Sequence, residues 1–146
     1  MNAMEISLSG LNVEWRRLEI IAQNLANLNT TRTGDGGAYL PLRLVSGPGE
    51  TFRQVLSEQG APDAPGQALG GVTVYGIEPT DSAARRVYDP DHPHADVDGF
   101  VSYPGVSHSE EMTLMIKTAR AYEANLTAMA AAQQIYSSAL QIGRPS

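Results

Sequence analysis

The segment Asp89–Gly99 concentrates the side chains that could bind a metal or move a proton, because it holds four aspartates and two histidines. Carboxylate oxygens and imidazole nitrogens are suitable ligands for a divalent cation. An EF-hand alignment with Gly99 at the invariant glycine places Gly105 where the bidentate glutamate is required, so that loop is excluded. Aspartate and proline are also ordinary turn residues. The sequence predicts a structural turn here, with incidental metal binding and a metal-dependent enzyme as alternatives.

The rest of the sequence offers little that could perform catalysis. It has no cysteine, which excludes disulfides, thiolate nucleophiles and Cys-ligated metals. Its three histidines are His92, His94 and His108, and the last lies in a predicted helix-capping turn. No Gly-x-Ser-x-Gly, P-loop or Gly-x-Gly-x-x-Gly sequence is present. We therefore predict that the protein is not an enzyme and has no cofactor or resident metal.

Charge and hydropathy exclude two further classes of partner. The chain of 146 residues carries a net charge of -6, and its only lysine is Lys117. Binding to nucleic acid or to an anionic membrane would require a cluster of basic residues, so neither is expected. No segment approaches the roughly 18 apolar residues of a membrane span. The N-terminus lacks a basic and then apolar leader, so we expect no cleaved secretory signal.

Both ends of the chain carry apolar residues at alternating steps of four and three, the spacing of a coiled-coil seam. The N-terminal seam consists of Met4, Leu8, Leu11, Trp15, Leu18, Ala22 and Leu25. The C-terminal seam consists of Met112, Met115, Ala119, Tyr122, Leu126, Met129, Gln133, Tyr136 and Leu140. We predict a first helix from about Ala3 to Leu28, ended by left-handed Asn27 and Asn29. A second should follow a Ser107–Glu110 capping box and run to about Ile142.

The region between the helices is rich in glycine and proline, which favours short strands separated by turns. Strands are predicted at Tyr39–Val45, Thr51–Leu56, Gly71–Glu78, Arg85–Tyr88 and Phe100–Tyr103, with a flexible loop at 57–70. The predicted fold is therefore α+β, with long N- and C-terminal coiled-coil-type helices that bracket a small β-rich domain. The corresponding divisions are an N-terminal assembly helix at 1–30, the β-rich domain at 31–106 and a C-terminal assembly helix at 107–146.

The two helices have compositions that suggest assembly with neighbours. The first half of the N-terminal helix has weak helix propensity, since interior Gly10 alone costs about 1 kcal/mol relative to alanine. Such a helix must gain stability from packing. The C-terminal helix has alanines on several faces, as expected of a helix surrounded by several others. An exposed helix chosen only for propensity, and an adaptor whose two helices pair within one chain, are the alternatives.

Several segments resemble the axial proteins of the bacterial flagellum, and most closely its proximal-rod proteins. They are residues 20–30, 88–106, 110–112, 120–125 and 140–144, whereas residues 46–75 carry little of the resemblance. The motif residues are Asn24, Leu25, Ala26, Asn27, His92, Pro93, Gly99, Tyr103 and Pro104. The exit from the first helix, Asn29–Thr33, departs from the Thr-Pro-Gly-Tyr-like exit of other axial proteins, which favours a rod over a hook subunit.

This resemblance implies a structural subunit of the proximal rod of the basal body, which assembles through its terminal helices into the axial drive shaft. It also implies export by the flagellar type III apparatus without removal of a signal peptide, and a periplasmic location. Other rod proteins and copies of the same chain would be its partners. The termini would become ordered when subunits stack, with the β-rich domain facing outward. Another rod- or hook-type axial subunit is the alternative within the family.

Overall fold

The computed structural model describes residues 2–49 and 70–142. The elements in chain order are helix α1 (Ala3–Ala26), strands β1 (Leu42–Pro48), β2 (Val72–Pro79), β3 (Arg85–Tyr88) and β4 (Phe100–Tyr103), and helix α2 (His108–Ile142). Terminal helices therefore bracket a small β region, which confirms the predicted α+β class. The strand predicted at Thr51–Leu56 lies outside the described residues, as does the loop predicted at 57–70 apart from its last residue.

Helix α1 begins with a reciprocal cap that the sequence analysis did not anticipate. Asn2 Oδ1 accepts a hydrogen bond from the Glu5 N–H, and a Glu5 side-chain oxygen accepts one from the Asn2 N–H, each at 2.9 Å. The pattern is a capping box in which asparagine replaces serine or threonine. It satisfies backbone donors that the first turn of a helix otherwise leaves unpaired.

The same helix ends at Ala26, by a different mechanism from the one predicted. The expectation that Asn27 and Asn29 adopt the left-handed conformation is wrong, because positive φ occurs among the described residues only at Gly36 and Gly99. The Asn27 side chain instead donates to the Gln23 carbonyl at 2.9 Å and accepts from the Thr30 hydroxyl at 3.0 Å. After Asn27, whose N–H still bonds to the Gln23 carbonyl, the backbone tightens, and the Leu28 N–H donates to the Leu25 carbonyl at 3.3 Å, which ends α1.

Helix α2 starts where the sequence predicts, with Ser107 Oγ accepting from the Glu110 N–H at 3.4 Å. Its 35 residues correspond to about 53 Å at 1.5 Å per residue. Only Glu111 and Thr118 are buried along this helix. Large apolar side chains are instead exposed on it, namely Met112, Ile116, Leu126, Ile135, Tyr136, Leu140 and Ile142. The described part of the chain thus leaves most of the apolar surface of α2 uncovered.

The strands form two two-stranded sheets, β1 with β2 and β3 with β4. The second pair is antiparallel, with Val87 opposite Val101 and Tyr88 opposite Phe100. Val101 is completely buried, and the Tyr88 and Phe100 rings meet edge to face with centroids 5.3 Å apart. Cross-strand aromatic pairs of this kind stabilise a short hairpin beyond its backbone hydrogen bonds.

The chain divides into two compact units. Among the described residues, the first unit consists of 2–15, 46–49, 70–75 and 119–142, and the second of 16–45 and 76–118. In the first unit, a side chain at Gly10 would place its Cβ 2.8 Å from Asn125 Oδ1, and the Trp15 and Tyr122 rings lie 6.3 Å apart. The order of these contacts makes the two helical segments antiparallel. Glycine at position 10 permits these two helical segments to approach closely. This packing explains why a residue of low helix propensity stands inside α1.

Candidate functional site

A buried polar cluster lies in the second unit, centred on Asn24 in the last turn of α1. The Asn24 side chain is fully buried. Its amide nitrogen donates to the Leu42 carbonyl and its oxygen accepts from the Leu42 N–H, each at 2.9 Å. The carboxamide thus pairs with both backbone groups of Leu42, as a neighbouring strand would. These two bonds satisfy the N–H and C=O groups of Leu42, the first residue of β1. Backbone groups removed from water need such partners.

The remaining hydrogen-bonding capacity of Asn24 is also used. The Tyr39 hydroxyl donates to Asn24 Oδ1 at 2.9 Å, and Asn24 Nδ2 donates to Glu111 Oε2 at 3.3 Å. A carboxamide offers two donors and one oxygen with two lone pairs, so all four positions are filled. An aspartate would lack both donors and would face a second carboxylate. Asparagine is therefore the residue type that this position requires.

Glu111 is a buried carboxylate at the start of α2, with an exposed fraction of 1%. The Arg43 guanidinium forms an ion pair with Glu111 Oε1 and also donates to the Leu42 carbonyl at 3.1 Å. Burial of a carboxylate is costly unless a cation and further hydrogen bonds compensate for the lost water. Arg43 supplies the cation and Asn24 supplies a further hydrogen bond. Below, Asn24, Tyr39, Leu42, Arg43 and Glu111 are called the Asn24 cluster.

Tyr39 acts in this cluster as a neutral donor. Burial raises the pKa of its hydroxyl above the ordinary value of 10.0, the Glu111 carboxylate raises the pKa further, and the Arg43 charge opposes both effects. The phenol is therefore protonated at neutral pH and donates to Asn24. The cluster joins the end of α1, the segment 39–43 and the start of α2. Its groups are mutually satisfied, which fits a structural junction better than a reaction centre.

The segment Asp89–Gly99 forms the turn between β3 and β4, as predicted. Asp96 accepts hydrogen bonds from the N–H groups of Asp98 at 3.0 Å and Phe100 at 2.8 Å, and its other oxygen pairs with Arg86. Gly99 has φ of 79°, where a Cβ would lie 2.9 Å from the Tyr88 ring. Asp96 is thus an ordinary turn former, whose side chain binds backbone groups of the same turn.

Its two histidines take part in the same local network. The His94 N–H donates to His92 Nδ1 at 3.0 Å, and the Thr31 hydroxyl and His94 Nδ1 are hydrogen-bonded at 2.8 Å. The latter contact ties the turn to the segment that follows α1. Within residues 2–49 and 70–142, no three His, Asp or Glu side chains are arranged to hold a metal ion.

The hydrogen bonds of Asp96 predict a pH dependence of the β3–β4 turn. Backbone N–H donation from Phe100 chiefly lowers the pKa of Asp96 below the ordinary value of 3.8, with smaller contributions from Asp98 and Arg86. A carboxyl whose pKa is lower in the folded state stabilises that state above its unfolded pKa. This contribution should be complete above about pH 5 and lost as pH falls through the folded-state pKa.

Nuclear magnetic resonance of the Phe100 amide should detect this change as a shift centred below pH 3.8 in the intact chain. The matched control is Asp96→Asn, in which that shift should disappear. A titration of the Phe100 amide that survives unchanged in Asp96→Asn would contradict the assignment.

The predicted seam residues differ in how exposed they are to solvent. In the N-terminal seam Leu11 is buried, Met4, Leu18 and Leu25 are half-buried, and Leu8, Trp15 and Ala22 are exposed. In the C-terminal seam Met115, Ala119, Tyr122 and Met129 are half-buried, whereas Met112, Leu126, Gln133, Tyr136 and Leu140 are exposed. Contact across the seams occurs between Trp15 and Tyr122. The assembly role of both seams remains a prediction.

The motif residues serve different local purposes. Asn24 organises the buried cluster, the Asn27 side chain bonds to the Gln23 carbonyl in the last turn of α1, and Gly99 occupies the turn at positive φ. Of the others, Pro104 is buried, Leu25, His92 and Tyr103 are half-buried, and Ala26 and Pro93 are exposed.

Sequence reasoning missed the roles of Tyr39, Arg43 and Glu111. A glutamate in the first turn of a helix is ordinary there, so no local signal indicated that Glu111 is buried.

The described helices include none that is both long and apolar enough to span a membrane.

Protein-family comparison matches two regions of the chain. Residues 4–32 match the family described as "Flagella basal body rod protein", and residues 97–142 match the family described as "Flagellar basal body rod FlgEFG protein C-terminal". The first region contains Asn24 and the second contains Glu111. The class defined by both terminal regions is that of flagellar basal-body rod proteins.

Similarity to individual proteins extends over nearly the whole chain. The flagellar basal-body rod protein FlgC of Bacillus subtilis is 36% identical over 148 residues, which cover 98% of this chain and 97% of that protein. FlgC of Borreliella burgdorferi is 35% identical, with 97% and 95% covered, and FlgC of Salmonella typhimurium is 31% identical, with 99% and 98% covered. The chain belongs to the FlgC family of flagellar basal-body rod proteins.

Proposed function

We propose that this chain is a non-enzymatic structural subunit of the bacterial flagellar basal-body rod. The observation that carries the proposal is the similarity of nearly the whole chain to the FlgC proteins of three bacteria. The buried cluster adds physical support, because it uses its polar groups to join chain segments. An intramolecular helix adaptor, which the Trp15–Tyr122 contact would permit, is less favoured since it does not account for this similarity.

Assembly takes place through the two terminal helices. The support is the exposed apolar surface of α2, where Leu126 is 47% exposed and Tyr136 and Leu140 are each 57% exposed. Contiguous apolar residues left on a surface commonly mark a contact with another protein. Residues 1–30 and 107–146 are thus the assembly helices, and residues 31–106 form the domain that they bracket. Their stacking against neighbouring subunits completes the packing that each helix lacks.

The subunit occupies the proximal rod in the periplasm, where it contacts other rod proteins and copies of itself. It reaches that location through the flagellar type III export apparatus and keeps its N-terminus. These finer statements are supported by the resemblance of residues 20–30 and 88–106 to proximal-rod proteins.

Deletion of the gene for this chain tests the rod function directly. Electron microscopy of basal bodies from the deletion strain should show no completed rod, and the cells should not swim. A plasmid copy of the gene should restore both. Completed rods in the deletion strain would contradict the proposed function.

A further inference from the structure

Val97, in the β3–β4 turn, is completely exposed to solvent, more so than any other large apolar residue that the structure describes. Turns favour glycine, proline, asparagine, aspartate and serine, so local conformation gives no reason for a valine at this position. Burial within its own chain gives none either, because no described part of the chain covers it. Only a surface outside the chain can bury this side chain.

The backbone on both sides of Val97 is held by hydrogen bonds. The Gly99 N–H donates to the Asp96 carbonyl at 2.9 Å, and the Asp96 N–H donates to the Phe100 carbonyl at 2.8 Å. Asp96 Oδ1 also accepts from the Asp98 N–H at 3.0 Å. The turn therefore holds Val97 in one position, and a contact there requires little further ordering of the chain.

The first turns of α2 carry an apolar strip that the predicted seam explains only in part. Met112 and Ile116 are 39% and 54% exposed, and their spacing of four residues places them side by side on the helix. Ile116 lies outside the C-terminal seam, which continues from Met112 through Met115 and Ala119. Contact between the two seams would therefore leave Ile116 uncovered.

Charged residues next to these apolar side chains have opposite signs. Asp98 follows Val97 in the turn, and Lys117 follows Ile116 on the helix. Both charged side chains are exposed, and neither has an ion-pair partner among the residues that the structure describes. Asp91 adds a second exposed carboxylate to the turn. The turn is thus apolar and acidic, whereas the surface at Ile116 and Lys117 is apolar and basic.

We propose that Val97 and Asp98 of one copy of this chain contact Ile116 and Lys117 of a second copy in the assembled rod. The inference rests on the proposed rod function, because the contact forms where α2 is packed as a helix among other subunits. The two surfaces are different parts of the same chain, so the contact is head-to-tail. A pair of copies then still has a free turn at one end and a free helix surface at the other, and further copies extend it into a ring or a helix.

The contact is small and acts together with the terminal helices. The tip of one turn covers far less than the roughly 800 Å² per partner of a stable interface, so it does not hold two copies together alone. Complementary charges at such a contact instead fix which surfaces meet and in which register. The Val97 turn therefore sets the position of each copy against the next one as the helices pack.

Cysteine cross-linking in assembled rods tests the contact. The natural chain has no cysteine, so Val97→Cys combined with Ile116→Cys supplies one thiol on each surface. Basal bodies from cells that carry only this double variant are treated with a mild oxidant, since a disulfide requires Cα atoms within about 7 Å. Denaturing gels should show a ladder of dimers, trimers and longer products made of this chain alone. Mass spectrometry should find residue 97 joined to residue 116.

The matched control is Val97→Cys combined with Ile135→Cys. Ile135 is also exposed on α2 but lies roughly five turns further along the helix. This control and each single-cysteine variant should stay monomeric on the same gels. A ladder of equal strength in the control would overturn the proposal, as would dimers of the Val97→Cys variant alone. A cross-link from residue 97 to a different rod protein would also overturn it.

Charge exchange provides a second test if the cysteine variants do not assemble. Asp98→Lys or Lys117→Asp alone would place like charges opposite each other, so the number of complete rods should fall at least about tenfold. The two changes together restore opposite charges, and the number of rods should recover at least about fivefold from either single variant. Unchanged rod numbers in the single variants, or no recovery in the double variant, would overturn the contact.

Failure of this proposal is distinguishable from failure of the rod function. Rods that contain the Val97→Cys, Ile116→Cys chain but give no ladder would overturn the contact and leave the rod function intact. Absence of the unsubstituted chain from purified basal bodies would instead contradict the rod function, and the contact with it.

Discussion

Leu126→Asp should abolish incorporation of the chain into rods while the isolated chain stays folded. Leu126 is 47% exposed in the single chain, so a charge there can remain hydrated. At a subunit contact the same carboxylate would be buried without a partner, at a cost of several kcal/mol. Since about 1.4 kcal/mol corresponds to a factor of ten, incorporation should fall more than a hundredfold. Swimming tests and counts of complete basal bodies measure the loss.

Leu126→Met is the matched control, because it conserves volume and apolar character. Cells with this variant should swim and build rods in normal number. Circular dichroism of the purified Leu126→Asp chain should match that of the unsubstituted chain. Normal rod numbers in cells with Leu126→Asp would show that the C-terminal seam does not form a buried subunit contact at this position.

Arg43→Met should destabilise the chain by about 3–5 kcal/mol, the range measured when one partner of a buried ion pair is removed. The reason is the difference in burial within the pair. Glu111 is 1% exposed and cannot reach water, whereas the Arg43 side chain is 38% exposed. Methionine retains much of the arginine stem but leaves the Glu111 carboxylate without a cation. Chemical denaturation of the full chain, followed by circular dichroism, measures the change in unfolding free energy.

Glu111→Gln in the Arg43→Met background should recover part of that loss, because it removes the uncompensated charge. The double variant should therefore be more stable than Arg43→Met alone. This order separates the electrostatic cause from a packing effect of residue 43. If Arg43→Met costs less than 1 kcal/mol, or the double variant is no more stable, the carboxylate does not require the arginine.

Local pattern was sufficient to predict the helices and strands that the structure describes. The Ser107–Glu110 cap and a continuous periodic run gave the bounds of α2, and turn residues on both sides gave β3 and β4. β1 and β2 begin and end within three residues of the predictions, since strand ends depend on pairing partners distant in sequence. The end of α1 was placed two residues late because the backbone tightens into a three-residue turn at Leu25–Leu28, with no left-handed asparagine.

The partners of Asn24 could not be predicted, although its motif was visible. Its bonds reach Leu42, 18 residues away, and Glu111, 87 residues away. No periodicity within one helix specifies such pairs. The seven-residue pattern also did not predict which face of α1 is buried within the chain. Its buried residues are Ser7, Gly10, Leu11, Val13, Ile20, Ile21 and Asn24, of which only Leu11 belongs to the N-terminal seam.

The difference between the buried residues of α1 and its seam residues fits a helix with two contact surfaces. One face of α1 is covered by its own chain, while the seam residues Leu8 and Trp15 are 50% and 55% exposed. A coiled-coil pattern marks a stripe that packs against another helix, whether that helix belongs to the same chain or to a neighbouring subunit. The seams therefore predict contacts that a single chain does not contain.

Thiol accessibility tests most directly whether the exposed seam is buried by assembly. The natural chain has no cysteine, so Leu126→Cys introduces a single reactive thiol. A maleimide should label this variant readily in the free chain and at least tenfold more slowly in intact basal bodies, with labelling restored once the rods are dissociated. Equal labelling of the free chain and the intact rod would contradict the account.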